Sequence, residues 1–128
     1  MRLIQRNSLR EENLPGRVIQ KAVGKDAFSK SEKMTMGFGH YSARSGPMEP
    51  HQHAEEIVYI VKAKKARVRH GPSKDNLNNS APLHSGLTLH FPELEWHVFE
   101  YGKGGHLDII FFYGQVDNIR PEEILKKN

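Results

Sequence analysis

The feature that most constrains the fold is a succession of short apolar runs, each closed by glycine, proline, asparagine, aspartate or serine. Strands of about four to eight residues end at such turn residues, whereas helices repeat apolar residues every three or four positions over longer stretches. No long helical periodicity interrupts the pattern. It predicts strands at Arg17–Ala22, Lys33–Ser42, Glu49–His53, Glu56–Lys62, Ala66–His70, Leu87–Phe91, His97–Tyr101 and Leu107–Tyr113.

Many short, evenly spaced strands predict an all-β fold, either a sandwich or a closed barrel. The 128 residues suffice for one domain but not comfortably for two hydrophobic cores. The stretch Gly71–Pro82 is rich in asparagine, serine and proline and predicts a surface loop. Only Pro121–Lys127 looks helical, because a proline at the first helical position is followed by acids and then by lysines.

Composition excludes several classes of site. The chain has no cysteine, which rules out disulfides, zinc–thiolate sites, iron–sulfur clusters and thiol nucleophiles. Its longest apolar runs, Ile57–Val61 and Ile109–Tyr113, are too short to span a bilayer. The N-terminal residues lack the apolar segment of a secretory signal, so we expect a cytoplasmic protein without a membrane partner.

The net charge of +4 does not by itself indicate a nucleic-acid partner. The basic residues are scattered except for a run in one predicted strand region, and such a run usually lies on a solvated face. No recognition helix or zinc-finger spacing accompanies it, and we expect no nucleic-acid binding. The run comprises Lys62, Lys64, Lys65, Arg67 and Arg69.

Histidine carries the strongest chemical signal. In a strand, residues two apart point to the same face, so His51 and His53 would project side by side. Glu55 and Glu56 follow at the head of an apolar run, and His97 comes after a proline turn further along. Imidazoles combined with a carboxylate suit iron, manganese, nickel, cobalt or zinc with open coordination positions.

These residues lie in two segments that resemble the two sequence motifs of the cupin superfamily. The second motif has its glycine, proline and histidine at the expected separations, with Leu94 in place of a glycine and Tyr101 in place of the final asparagine. The first motif is shorter than the family pattern, with only two residues between His53 and Glu56. The matching residues are Gly46, His51, His53, Glu56, Gly86, Pro92 and His97.

The resemblance implies a single-domain jelly-roll β-barrel over residues 1–128, with one divalent metal ion near its mouth. The barrel core would cover about 14–113, with an N-terminal arm at 1–13 and a C-terminal tail at 114–128 that holds the short helix. The implied ligands are His51, His53, Glu56 and His97. The metal would be iron, manganese, nickel, zinc or cobalt.

The shortened first motif leaves alternatives for the carboxylate. Glu55 could replace Glu56, or three histidines and water could complete the site. A shorter turn preserves the frame of the strand, whereas a register slip would turn Val58 and Ile60 outward. We therefore expect Glu56 to point inward and Glu55 to face solvent.

Other residues have plainer interpretations. His40 is either a structural histidine or a pocket residue above the metal, since it follows Met34, Met36 and Phe38 at alternate positions. Those three apolar residues are expected to fill the barrel. The remaining histidines match no ligand motif: His70, His84, His90 and His106.

The leading functional hypothesis is a metal-dependent enzyme acting on a small oxygenated molecule, by dioxygenase, decarboxylase, isomerase or lyase chemistry. One alternative is a non-catalytic small-molecule-binding or sensory protein, and another is a metal-free, sugar-epimerase-like enzyme that uses a histidine–tyrosine pair. We also expect a homodimer, as small members of the superfamily commonly form. Apolar residues that one barrel would leave uncovered support it: Leu3, Ile4, Leu9, Val18 and Ile19.

Overall fold

The structure is a computed structural model that describes residues 1–114. The helix predicted at Pro121–Lys127 lies outside the described residues. Short 3₁₀ helices occupy Arg6–Ser8 and Ala43–Ser45. The strands are β1 (Glu12–Leu14), β2 (Arg17–Gly24), β3 (Ser29–Lys30), β4 (Thr35–Ser42), β5 (Glu56–Gly71), β6 (Asn79–Pro82), β7 (Thr88–Phe91) and β8 (Trp96–Tyr113).

The strands form one continuous antiparallel arrangement in the order β1-β2-β4-β8-β5-β6. β7 pairs with β5, and the two-residue β3 pairs with β2 in the parallel direction. The all-β fold predicted from the sequence is confirmed. Among the described residues, no helix has the length and apolar character needed to cross a membrane.

β5 and β8 are the longest strands, and they pair from Glu56↔Tyr113 to Gly71↔Trp96. The sequence predicted two strands in each, and that division is wrong. The register shifts after Lys64↔His106 and resumes at Ala66↔Tyr101, so the glycine-rich residues between them cause an irregularity rather than a chain reversal. Such an irregularity bends the strands while the pairing continues on both sides.

Two further strand predictions are corrected. The segment Glu49–His53 is not a strand, and only His51 forms an isolated bridge, with His97. Pro50 lacks the N–H that a strand ladder requires at each donor position. In the stretch predicted to be a loop, residues Asn79–Pro82 form β6 on the edge of the sheet.

The core lies between the bent strands. Val58, Ile60, Leu107 and Ile109 are almost completely buried, and the inward orientation predicted for Val58 and Ile60 is confirmed. Around them pack the other buried members of the core: Ile19, Tyr41, Ala54, Ala66, Val68, Leu83, Phe91, Phe99, Phe111 and Tyr113.

β4 presents the opposite face to the one predicted. Met34 is exposed, Met36 and Phe38 are half-buried, and the intervening Gly37 and Gly39 point inward. A Cβ atom on Gly37 would lie 2.6 Å from the Phe111 ring. The inward glycines leave space for the large side chains of β8, so the large residues of β4 lie on the outer face.

The N-terminal arm packs on this outer face. The Gln20 amide donates to the carbonyl of Arg6 over 2.9 Å, and Leu9 is buried. Part of the basic run of β5 is neutralised on the surface, since Arg67 and Arg69 both contact Glu100. Two of the five basic side chains of this run are therefore held in ion pairs on the surface.

Candidate metal centre

Three histidines meet at one end of the barrel interior. One nitrogen of each ring of His51, His53 and His97 lies within 4.8 Å of the others. His53 and His97 are 2% and 1% exposed, and His51 is half-buried. The sequence therefore correctly predicted that these distant residues come together.

The backbone holds the histidines in register. The amide of His51 donates to the carbonyl of His97 over 3.0 Å, and the amide of His97 donates back over 2.9 Å. The amide of Leu94 donates to the carbonyl of His53 over 2.8 Å. The loop that carries the first two imidazoles is thereby fastened to the start of β8 and to the turn before it.

Leu94 occupies the position where the cupin motif has glycine, and its backbone is left-handed with a φ of 64°. Glycine adopts this region readily, whereas a side chain is strained in it. Leu94 thus departs from the motif in residue type but keeps the backbone conformation that suits the motif's glycine. Gly86, the first glycine of the same motif, has a φ of 90°, a backbone conformation that also favours glycine.

Each imidazole is oriented by a main-chain carbonyl. Nδ1 of His51 lies 3.2 Å from the carbonyl of Glu49, Nδ1 of His53 lies 2.8 Å from that of Ala54, and Nδ1 of His97 lies 3.0 Å from that of Glu95. A carbonyl only accepts, so each Nδ1 carries the proton. In His51 and His97 the Nε2 lone pair is left for another partner, as in rings that ligate metals, whereas Nε2 of His53 faces Glu56.

Nε2 of His97 is the atom that most directly indicates a missing partner. It is buried and has no hydrogen-bond partner among residues 1–114. Phe91 stacks on the ring with centroids 4.0 Å apart, which fixes its plane. A buried nitrogen lone pair without a partner is costly, and a divalent ion shared with the neighbouring imidazoles would satisfy it. The donor set therefore fits a metal.

The electrostatics keep two of the rings neutral. Burial, reinforced by the charge of His53, lowers the pKa of His51 to about 3. Burial, with the charges of His51 and His53, lowers the pKa of His97 to about 3 as well. Neutral imidazole is the form that binds metal ions.

His53 differs because of Glu56. Burial lowers the pKa of His53, but the charge of Glu56 and hydrogen bonds to Glu56 and to the Ala54 carbonyl outweigh it, and the pKa is raised. Oε1 of Glu56 is 3.2 Å from Nε2 of His53 and 3.9 Å from Nε2 of His97. The carboxylate thus lies against the inward nitrogens of two of the three imidazoles.

Glu55 and Glu56 point to opposite faces, as the sequence predicted. Glu56 is 5% exposed and faces the barrel interior. Glu55 is on the surface, where its Oε2 lies 2.6 Å from Nε2 of His90. The structure thus has the shortened turn and the unshifted strand, while the role of Glu56 as a ligand stays a prediction.

The cluster opens into a cavity of about 220 Å³. Tyr113 contributes its hydroxyl, which is hydrogen-bonded to Glu56, and burial followed by the charge of Glu56 raises its pKa well above the usual value. Tyr41 also has a raised pKa, again mainly through burial. The other walls are Glu12, Leu14, Arg17, Ile19, Lys21, Phe99, Ile109 and Phe111.

His40 does not line this cavity, so its interpretation as a pocket residue is wrong. Its Nδ1 lies 2.8 Å from Oδ1 of Asp108 on the outer face, and its side chain is 41% exposed. The cause is the reversed facing of β4, on which Gly37 and Gly39 point inward and His40 therefore points outward.

Sequence reasoning missed Arg17, Lys21 and Tyr41 as cavity residues and assigned no polar role to Tyr113. A signal was present at two of them. Arg17 and Lys21 flank Ile19 at alternate positions of a predicted strand, so they share the face of a core residue.

No protein-family model and no curated protein matches the chain, but many solved structures do. The polyketide cyclase RemF from Streptomyces resistomycificus is 15% identical with a TM-score of 0.70, covering 100% of this chain and 94% of RemF. A Bacillus subtilis oxalate decarboxylase OxdC variant is 18% identical with a TM-score of 0.68, covering 90% of this chain and 30% of OxdC. The enzyme HppE, solved as its Fe(II) form, is 12% identical with a TM-score of 0.65, covering 88% of this chain and 60% of HppE.

These similarities identify the architecture. The chain has the cupin fold, as its two motifs predicted. At such low identities the likeness extends to the fold alone, and one fold supports many reactions.

Proposed function

We propose that this protein is a metal-dependent enzyme of the cupin type that acts on a small oxygenated molecule. The observation that carries the proposal is the buried Nε2 of His97, which lies beside the inward nitrogens of His51 and His53 and has no hydrogen-bond partner in the described part of the chain. The ligands would be these three imidazoles and the carboxylate of Glu56. One divalent ion per chain would bind here, with iron, manganese, nickel, zinc and cobalt as the candidates.

When bound, the metal would supply a Lewis acid or a site for dioxygen at positions that the protein leaves open. The chain's own residues define what surrounds those positions. The Tyr113 hydroxyl holds the Glu56 carboxylate in place, and the apolar wall of Phe99, Ile109 and Phe111 excludes water. The reaction would be a dioxygenation, decarboxylation, isomerisation or lyase step.

The similar structures support this proposal. RemF is a cyclase, OxdC is a decarboxylase and HppE was solved with Fe(II). RemF, which this chain matches along almost its whole length, is of similar size. RemF thus shows that a cyclase can consist of a single barrel of about this size, which supports the proposal that this chain is an enzyme.

The first test is metal content. The purified protein, loaded separately with each candidate ion, should hold about one ion per chain by elemental analysis. His97→Ala should lose the ion and the thermal stability that bound metal adds. His90→Ala is the control, because His90 is an exposed histidine that contacts Glu55 outside the cluster. A His97→Ala variant with unchanged metal content would contradict the proposed site.

The second test separates enzyme from binding protein. The metal-loaded protein is incubated with small hydroxy and keto compounds, and products, oxygen uptake and carbon dioxide release are followed, with His97→Ala as the blank. Metal-dependent turnover is expected. Stoichiometric metal with ligand binding but no turnover would favour the non-catalytic alternative, and turnover without metal would favour the epimerase-like one.

We further propose a homodimer in the cytoplasm. The N-terminal residues first taken to support dimerisation are partly covered within one chain, since Leu9 and Ile19 are buried. Instead, Ile57 and Phe112 are paired neighbours on the outer sheet face and are 45% and 41% exposed. A second copy would cover this face. The lack of cysteine agrees with a reducing compartment, and cell fractionation tests that placement.

A further inference from the structure

The wall of the cavity contains an ion pair between two strands. Glu12 of β1 lies opposite Ile19 of β2, and Lys21, two residues further along β2, shares the face of Ile19. Nζ of Lys21 lies 3.3 Å from Oε2 of Glu12, and both residues line the cavity. Long side chains at such diagonal positions can meet across a pair of strands. β1 and β2 therefore place a cation and an anion side by side at the cavity.

The two charged groups of this pair have hydrogen-bonding capacity left over. The side chains of Lys21 and Glu12 are only 12% and 25% exposed. An ammonium group has three N–H donors, and Glu12 is the one side-chain partner that Lys21 has within residues 1–114. Arg10 contacts the other oxygen of Glu12, Oε1, at 3.2 Å. The ammonium group and Oε2 can therefore each take a further partner from the cavity.

The pair lies close to the layer of the barrel that holds Glu56. Lys21 is paired with Gly37 on β4, and Gly37 is paired with Phe111 on β8. Tyr113, which is hydrogen-bonded to Glu56, is the next inward residue of β8 after Phe111. Successive inward residues of a strand are about 7 Å apart. The ion pair and the histidine cluster open into the same cavity of about 220 Å³, so one small molecule can reach both.

The opposite charges of the pair discriminate among functional groups. A carboxylate would accept hydrogen bonds from Lys21 but be repelled by Glu12, and an ammonium group would be attracted by Glu12 but repelled by Lys21. A hydroxyl group donates one hydrogen bond and also accepts. Because Nζ and Oε2 are 3.3 Å apart, one hydroxyl oxygen can lie within hydrogen-bond distance of both. A hydroxyl group therefore complements both charges through a single atom.

We propose that the substrate carries a hydroxyl group that binds between Nζ of Lys21 and Oε2 of Glu12, while its reacting end lies at the histidine cluster. The proposal rests on the proposed function, because the metal centre provides the reacting end. Lys21 donates a hydrogen bond to the hydroxyl oxygen, and the hydroxyl group donates its own to Glu12. The substrate is thus a small alcohol that is uncharged at the end remote from the metal.

The test uses hydroxamates as probes, because a hydroxamate group binds divalent metal ions whatever the rest of its chain carries. Compounds with the same short carbon chain end in a hydroxyl, methyl, carboxylate, ammonium or amide group. Calorimetry on the manganese-loaded protein gives their relative affinities, and elemental analysis gives the metal content of each sample. The hydroxyl-ended compound should bind most tightly, by about 10- to 100-fold over the methyl-ended one, the effect of hydrogen bonds to charged groups.

Two variants should change this preference in opposite directions. Glu12→Gln leaves Lys21 without its counter-charge, so the preference should move from the hydroxyl-ended to the carboxylate-ended compound. Lys21→Met leaves the Glu12 carboxylate facing the cavity, so the preference should move toward the ammonium-ended compound. Metal content should be unchanged in both. A purely structural role of the pair would not produce these opposite shifts.

Glu11→Gln and Lys64→Met are the matched controls. Each removes the same charge as its counterpart, at an exposed residue that is not among those lining the cavity. Their preferences should equal that of the unmodified protein. If a single variant does not fold, the double variant Glu12→Gln with Lys21→Met removes both charges of the pair and should bind the hydroxyl-ended and methyl-ended compounds equally.

The outcomes distinguish this proposal from the proposed function. If another compound bound as tightly as the hydroxyl-ended one, or if the variants behaved like their controls, the hydroxyl site would be overturned while bound manganese still supported the metal centre. A hydroxyl preference that depends on Lys21 in protein that retains no manganese would support the hydroxyl site and contradict the metal centre. Protein that holds no manganese and binds none of the compounds would contradict both.

Discussion

At the scale of single residues, the contrast between Glu55 and Glu56 is the most informative. The two are chemically identical neighbours, yet one lies 3.2 Å from a buried imidazole and the other contacts His90 on the surface. What separates them is the alternation of the strand, which turns successive side chains to opposite faces. Their environments, rather than their chemistry, determine what each carboxylate contributes.

Glu56→Gln should therefore weaken metal binding by at least about tenfold, because it replaces an anionic oxygen beside the imidazoles with a neutral amide. Glu55→Gln should leave metal affinity unchanged and alter stability by no more than about 0.5 kcal/mol. Isothermal titration with one candidate ion measures the metal affinity of both variants, and chemical denaturation measures the stability of Glu55→Gln. The reverse order would mean that the assigned register is wrong, and no effect in either variant would reduce the site to three histidines and water.

Leu94 supports a second prediction at this scale. Leu94→Gly should raise the free energy of unfolding by up to about 1 kcal/mol, because glycine relieves the strain of a left-handed backbone. Glu93→Gly, one residue earlier and also exposed, provides the control and should give no such gain. Chemical denaturation measures both, and a Leu94→Gly variant less stable than the parent would contradict the strain.

At the scale of elements, the sequence predicted the location of strands better than their continuity or facing. His51, His53 and His97 could be predicted to form one cluster because their spacing matches the two cupin motifs, which place these positions together in the fold. The joining of two segments into β8 could not, because glycines signal a turn and an irregular strand alike. The facing of β4 depends on the Phe111 side chain, which packs against Gly37 from another strand.

A close approach at a glycine makes the packing at the end of β5 testable. Gly71 ends β5, and a Cβ atom there would collide with the carbonyl of Asn76 in the following turn. Gly71→Ala should cost about 1–3 kcal/mol of stability or more, as overpacking does. Gly102→Ala is the control, because its nearest neighbour would be 3.7 Å away, an ordinary contact. If Gly71→Ala and Gly102→Ala were equally stable in thermal unfolding, that result would contradict this packing.

At the scale of the whole molecule, the proposed homodimer would form through the outer sheet face that carries Ile57 and Phe112. Light scattering at micromolar concentration should give about twice the chain mass of 14.6 kDa. Phe112→Glu should shift the mass toward one chain by placing a charge on the proposed interface, whereas Leu3→Glu, at an 86% exposed residue, should not. A parent protein that scatters as a single chain would contradict the dimer.

The carbonyls that orient the imidazoles have a consequence for how this protein can diverge. The acceptors at Glu49, Ala54 and Glu95 belong to the main chain, and a main-chain carbonyl persists whatever side chain its residue carries. Mutations at those positions therefore spare the tautomers of the three histidines. The walls of the cavity can accumulate substitutions, in evolution or in a mutant library, while the orientation of the histidines is inherited intact. If the protein is the enzyme proposed above, such a barrel is suited to acquiring new substrates one wall residue at a time.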